Sequence, residues 1–315
     1  MKTILLLGGF GFLGTNILSY IDNNLKDQYH VIVFDKFARH PAGLLFSCVT
    51  NSVSGDFTDE ECIRSIFSTY HIDLVVHSLS TTIPINAFNA RYDIESNLVP
   101  TISLLNIMVE NGVKDIVYIS SGGAVYGNSI AKKHSEQDVV FPISSYGVVK
   151  LAIEKYLIQY ELLYGLNPLI LRLSNPFGPY HYSMRQGVCN VAIEHALNNK
   201  TFTVWGDGSA KKDYIFVEDF VRILFQLLTQ ERTSRIINIA SGQLLSLNEI
   251  LHVIQSIEPS FCWQYGEASL LDVSRFELDT SLLLSLIGEF PFTSFKNGIY
   301  QTWGWAKSRK ANEKA

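Results

Sequence analysis

The sequence predicts a doubly wound α/β fold: a parallel sheet with helices on both faces, followed by a smaller, interleaved C-terminal portion. Three observations predict it. Short apolar runs of strand length alternate with helical patterns as far as residue 173. A glycine-rich turn, GGFGFLG, follows the first run and opens a helix. The second run ends in Asp35, about twenty residues beyond those glycines.

TILLL at 3–7 reads as a buried strand, and 12–25 as the helix that the glycines introduce. HVIVFD at 30–35 is a second strand, 59–70 a helix, and DLVVH at 73–77 a third strand. A helix over 94–111 precedes DIVYIS at 115–120, and a long helix over 146–164 leads into PLILRL at 168–173. Beyond residue 175 the regularity fades. A helix over 186–198 precedes TFTVWGDG, and DYIFVEDFVRILFQLL reads as strand plus helix. IINIAS supplies a further strand of the main sheet, and 246–257 is a helix. The division that follows gives 1–175 to a dinucleotide-binding domain, with 213–241 returning to it. Residues 176–212 and 242–315 then form a smaller substrate-binding domain. The end, KSRKANEKA, is expected to be a frayed, solvated tail.

Composition narrows the partners. The 315 residues carry a net charge of −5, which gives no basic footprint for nucleic acid. Runs such as ILLL are far too short to span a membrane, and Met1-Lys2 leads into Gly8-Gly9 without a cleavage site for a signal peptide. Cys48, Cys62, Cys189 and Cys262 are scattered, with neither zinc-site spacing nor disulfide density, so reduced thiols and no metal are expected. These features point to the cytoplasm.

A glycine-rich turn is by itself either a phosphate cradle or a bare strand-to-helix turn. In the first case Gly8 permits the tight turn, Gly11 lets a pyrophosphate approach the backbone, and Gly14 lets helix and sheet pack closely. The helix N-terminus then offers free N–H groups and partial positive charge to the anion. Asp35 decides for the cradle. A carboxylate there accepts bonds from both ribose hydroxyls of the adenosine half and repels a 2′-phosphate, favouring NAD over NADP. Lys36 and Arg39 moderate that preference. Further along, SSYGVVK places Tyr146 and Lys150 four residues apart on a helix, hence on one face. An ammonium beside a phenol favours the phenolate, giving an acid/base group; the plain alternative is a surface pair.

The order of motifs resembles that of extended short-chain dehydrogenases/reductases, and within them NAD-dependent nucleotide-sugar epimerases of the UDP-glucose 4-epimerase type. It runs through GGFGFLG, GDF at 55–57, HSLS at 77–80, SSGGAVYG at 120–127, YGVVK at 146–150 and RLSNPFGP at 172–179. KDYIFVEDF at 212–220 and the closing LDTSLL and TWGW extend it over nearly the whole chain. The resemblance implies that Tyr146 is the catalytic base and that Lys150 also holds the nicotinamide ribose. It implies that Gly8, Gly11, Phe12, Leu13, Asp35 and Lys36 line the pyrophosphate and adenosine, and that Asp56 and Phe57 meet adenine. Leu79, Ser80, Asn97, Ser120 and Pro176 would complete the cofactor site. Asn175, Val204, Trp205 and Lys212 would meet the sugar nucleotide, with Ser121 and Tyr146 at the reacting hydroxyl. A homodimer built from the helices at 94–111 and 146–164 is also implied.

Three positions depart from the family pattern. The Ser or Thr four residues before Tyr126 is Gly122, so Ser121 is the hydroxyl at hand. The arginine before DYI is Lys212, and the arginine of an R-x-x-D pattern is Ser269, ahead of Asp272; Arg185 and Arg275 are possible substitutes. Where 4,6-dehydratases carry acid before VYG, this chain has Gly122, Gly123 and Ala124, which leaves no local carboxylate for elimination. The reading is therefore C4 epimerisation through a 4-keto sugar. A 4-ketoreductase, a dehydratase and a non-catalytic dinucleotide-binding protein stand as alternatives.

Overall fold

The computed structural model describes residues 1–82, 89–127, 133–230, 235–267 and 275–313. The first elements are β1 (Lys2–Leu7), α1 (Phe12–Tyr20), β2 (Tyr29–Asp35), β3 (Val49–Ser54), α2 (Glu60–Thr69) and β4 (Leu74–His77). After them come α3 (Ala90–Asp93), α4 (Val99–Glu110), β5 (Asp115–Ser121), α5 (Gly122–Tyr126), α6 (Ser145–Tyr164) and β6 (Asn167–Leu173). The helices expected over 12–25 and 94–111 are each interrupted by a π-helical turn, at Ile21–Leu25 and Ile94–Leu98.

The chain divides into two compact units. The first comprises 1–129, 139–173 and 231–237. Its sheet runs β3-β2-β1-β4-β5-β6 and is completed by a strand at Ile236–Ile239. The six strands from β3 to β6 pair in parallel, and rising register beside the last (Ile170 N–H to Arg235 C=O, Ser174 N–H to Ile239 C=O) continues that sense. Strand order reverses direction at β1, which places a ligand crevice at the carboxyl ends of β1 and β4. Ile4 to Leu7 and Val31 to Phe34 are almost wholly buried, as strands covered on both faces must be. β3 was not expected from the sequence. As the edge strand VTNSVS, it is mostly exposed and polar, so it lacks the apolar run by which its neighbours are recognised.

The second unit comprises 130–138, 174–230 and 238–315. It contains β7 (Asn175–Phe177), α7 (Val188–Leu197), β8 (Phe202–Trp205), β9 (Lys211–Phe216) and α8 (Val217–Leu228). With the main-sheet strand Ile236–Ile239 as β10, it continues through β11 (Leu244–Ser246), α9 (Leu247–Ile257), β12 (Trp263–Gly266) and β13 (Arg275–Phe276). It ends with α10 (Ser281–Ile287) and α11 (Phe295–Asn312). Contrary to the division drawn from sequence, 213–230 stays here, because β9 pairs with β7, β11 and β13. Residues 307–312 are also helical rather than frayed. Arg309 pairs with Glu194 and lies over Trp305 and Tyr182, while Lys310 donates to the Leu197 carbonyl. These tertiary partners dock a tail that its charge alone would leave in water.

Candidate active site

The glycine turn is built as its spacing requires. Gly8 sits at φ +76° and donates its N–H to the Phe34 carbonyl at 2.8 Å. A Cβ on Gly14 would lie 2.3 Å from the Gly8 carbonyl oxygen and 2.6 Å from Gly9 Cα, so helix and turn meet backbone to backbone. Gly11 differs. A Cβ there would touch only the Gly8 oxygen at 3.3 Å, so the protein's own packing does not demand glycine. Gly11 is also the N-cap of α1 and offers no side chain to cap it. An open approach to a helix N-terminus suits a pyrophosphate.

Asp35, at the end of β2, is buried, and its carboxylate accepts from the N–H groups of Phe10 (3.0 Å) and Phe37 (3.3 Å). It thus sits at the glycine turn. Lys36 is exposed, with its ammonium 5.0 Å from the Phe37 ring. Asp56 is exposed and closes a turn by accepting from the Thr58 N–H and hydroxyl. The Phe57 ring is buried between Phe34 and His77, which leaves its backbone as the part open to a ligand.

A narrow pocket in the first unit is lined by Leu79, Ser80, Asn97, Tyr146 and Lys150, together with His77, Thr82, Tyr118, Val149 and Ile153. Asn97 shapes one wall: its carbonyl oxygen accepts from the Thr81 N–H at 2.9 Å and its amide donates to the Thr81 hydroxyl at 2.7 Å. His77 donates or accepts through Nε2 at the Thr101 hydroxyl, and burial pulls it down to about 3, so it is neutral. Its Nδ1 and the Tyr118 hydroxyl are buried with no hydrogen-bond partner. An apolar wall with convergent polar atoms fits a nicotinamide and its ribose.

Tyr146 and Lys150 are delivered by α6. Ser144 caps the helix, accepting from the Gly147 N–H at 3.1 Å, and Gly165 ends it in the left-handed region. Tyr146 therefore lies in the first turn. A Cβ on Gly147 would sit 2.4 Å from the Ala124 carbonyl oxygen, so this glycine lets α6 close on α5 and the segment carrying Ser121. Ser121 lies within reach of the Tyr146 phenol and works to lower it. The displaced hydroxyl thus reaches the tyrosine despite Gly122.

Lys150 is buried, donates to the Ile119 carbonyl at 2.9 Å, and holds its ammonium 4.7 Å from the Tyr118 ring centroid and 5.7 Å from that of Tyr146. Burial pulls it down to about 8, against an opposing pull from Glu154. The expectation that Lys150 lowers the tyrosine is not met by this chain's own groups. Tyr146 is half-buried as a residue, but crowding of its hydroxyl pushes it up to about 12, which the Ser121 bond partly offsets. Ser120, expected at the cofactor, instead donates to Glu154 Oε1 at 2.5 Å.

In the second unit, Asn175 donates to the Asp213 carbonyl at 2.8 Å, and Pro176 lies beside Ile215 in the β7–β9 pair. Lys212 is half-buried on β9, opposite Leu245. Trp205 is 65 % exposed, a free aromatic face, whereas Val204 is wholly buried in the core of this unit and cannot offer its side chain. Strand alternation is the reason: neighbours on β8 face opposite sides. Arg185 is exposed. Ser269 and Asp272 lie outside the described residues. Sequence reasoning missed Glu154, Arg172, Tyr126 and Gly147. A carboxylate four residues past Lys150 was the available signal for the first.

Residues 4–240 match the model of the NAD dependent epimerase/dehydratase family. A putative UDP-glucose 4-epimerase of Methanocaldococcus jannaschii is 30% identical over 97% of this chain and 98% of its own length. The UDP-glucose 4-epimerase of Thermotoga maritima, solved with UDP-glucose, superposes with a TM-score of 0.88 at 26% identity, covering 98% of this chain and 99% of that one. The Thermus thermophilus UDP-glucose 4-epimerase, solved with NAD, gives 0.88 at 25% identity over 97% and 99%. dTDP-sugar dehydratases and reductases are also among the relatives. This chain therefore belongs to the NAD-dependent epimerase/dehydratase family, and NAD is its cofactor.

Proposed function

We propose that the protein epimerises C4 of a UDP-linked hexose or N-acetylhexosamine. The observation that carries this reading is the contact between the Ser121 hydroxyl and the Tyr146 phenol, in a pocket shared with Lys150. NAD, when bound, supplies the hydride acceptor and donor and a positive charge that favours the phenolate. Tyr146 takes the proton of the C4 hydroxyl, and the 4-keto sugar then turns its opposite face. The same tyrosine returns the proton, so no net acid or base is consumed. Ser121 donates to the reacting oxygens and holds them in line. Lys150 keeps positive charge near the tyrosine ring. Gly122, Gly123 and Ala124 begin α5, where a dehydratase needs carboxylates, which favours epimerisation over elimination. The exposed Trp205 face suits stacking on the base of the nucleotide.

Incubation with UDP-galactose, UDP-GalNAc and dTDP-glucose, with product analysis, tests this reading. Tyr146→Phe should bind NAD normally and lose turnover by about 10²–10⁴-fold. Equal, null turnover of wild type and variant across the panel would favour a binding protein instead. We also infer a homodimer through α4 and α6, supported by exposed apolar side chains such as Val99, Val148, Tyr156 and Leu163. Light scattering after gel filtration reads that directly.

A further inference from the structure

Three successive residues of β5 each hold one turn of α6. Ser121 meets Tyr146, the Ile119 carbonyl accepts from Lys150, and Ser120 donates to Glu154. Tyr146, Lys150 and Glu154 follow one another at four-residue spacing, so they share a helix face. Glu154 is fully buried and Arg172 nearly so. Arg172 Nη2 donates to Glu154 Oε2 at 2.7 Å, and its Nε lies 3.2 Å from both carboxylate oxygens. From its other end Arg172 donates to the Tyr126 hydroxyl at 2.9 Å, with its guanidinium 4.8 Å from that ring. The buried pair thus joins α6, β5, β6 and α5, and it grips the chain at Ser120 and Tyr126, on either side of Ser121.

A buried ion pair is a poor source of stability, because desolvation offsets most of its attraction. Its placement is more informative. We propose that Glu154 is a positioning residue for the reaction: its carboxylate, fixed by Arg172, holds the Lys150 ammonium charged and sets Ser121 against Tyr146. This rests on the assignment of Tyr146 and Lys150 given above. Among the described residues, the charged and titratable groups facing Lys150 are Tyr118 and His77 from the sheet and Tyr146 and Glu154 from its own helix. Glu154 is the one anion in this set. Burial works against the ammonium, and Glu154 works for it.

The test uses Glu154→Gln, which keeps shape and removes charge, and Glu154→Gln/Arg172→Met, which removes both buried charges. The NAD-loaded protein is labelled at lysine Cε, the Lys150 signal is assigned with Lys150→Arg, and its titration is followed by NMR. Both variants should lower the Lys150 midpoint by about one pH unit or more, in line with loss of a nearby opposite charge. In turnover, kcat should fall at least tenfold with KM within about twofold, and the pH–rate limb belonging to Lys150 should move the same way. If Glu154→Gln fails to fold, the double variant decides. An unmoved Lys150 midpoint, or full recovery of kcat and midpoint in the double variant, overturns the proposal and leaves Glu154 a packing partner of Arg172. The NMR midpoint does not depend on which sugar nucleotide is turned over. A failed substrate assignment and a failed role for Glu154 are therefore distinguishable.

Discussion

Gly11→Ala and Gly14→Ala are chemically the same change, three residues apart, and should fail in different ways. At Gly14 the new methyl would lie 2.3 Å from the Gly8 oxygen and 2.6 Å from Gly9 Cα. Both obstacles are backbone, so they cannot rotate away, and relief requires shifting α1 or the turn by roughly 1 Å. Overpacking of this kind costs about 1–3 kcal/mol, against a gain of about 1 kcal/mol from replacing glycine by alanine in a helix. The net loss should be about 0–2 kcal/mol, larger if the turn resists moving. At Gly11 the methyl meets one atom at 3.3 Å, and φ is −77°, so stability should stay within about 0.5 kcal/mol. There the methyl occupies the approach to the N-terminus of α1, and NAD affinity should drop at least tenfold, about 1.4 kcal/mol. Urea unfolding of the ligand-free proteins and calorimetric titration with NAD separate the two effects. Wild-type NAD affinity in Gly11→Ala would refute the cradle, and a gain in stability of about 1 kcal/mol in Gly14→Ala, the helix-propensity effect alone, would refute the packing argument.

Three further outcomes are expected. Ser121→Ala removes the bond that holds the Tyr146 hydroxyl down against burial, so the alkaline-rising limb of the pH–rate profile should move to higher pH and kcat should fall. Asp35→Ala should weaken NAD binding and narrow its preference over NADP, read by calorimetry with both cofactors. Asp213 is wholly buried, bonded to the Ser241 and Gly242 amides, and pushed up to about 6 by burial. Its folded-state value lies above the ordinary carboxylate range, so the native state binds the proton more tightly. Its contribution to stability is fullest near pH 4 and declines as pH rises through 6. Asp213→Asn should flatten that part of the stability–pH curve.

Local sequence determined a good deal of this protein. Apolar runs of strand length and helical periodicity gave the parallel sheet and its covering helices, because burial on two faces leaves an unbroken hydrophobic signature. The glycine spacing and Asp35 placed a dinucleotide turn, since backbone geometry there tolerates few other residues. The Tyr146 and Lys150 pair was visible because four residues on a helix fix two side chains to one face. Other features depended on distant partners. Edge strand β3 is polar because water covers it, and α11 continues to Asn312 because Arg309 and Lys310 find acceptors on another helix. Val204 and Trp205 look alike in sequence, yet strand alternation buries one and exposes the other. Only packing set the acidity of Tyr146, since burial raises it and Ser121 offsets that only in part. Likewise, Ser121 reaches the phenol because Gly147 lets two helices touch, and Glu154 meets Arg172 across the fold: contacts between residues far apart in the chain leave no periodic trace along it.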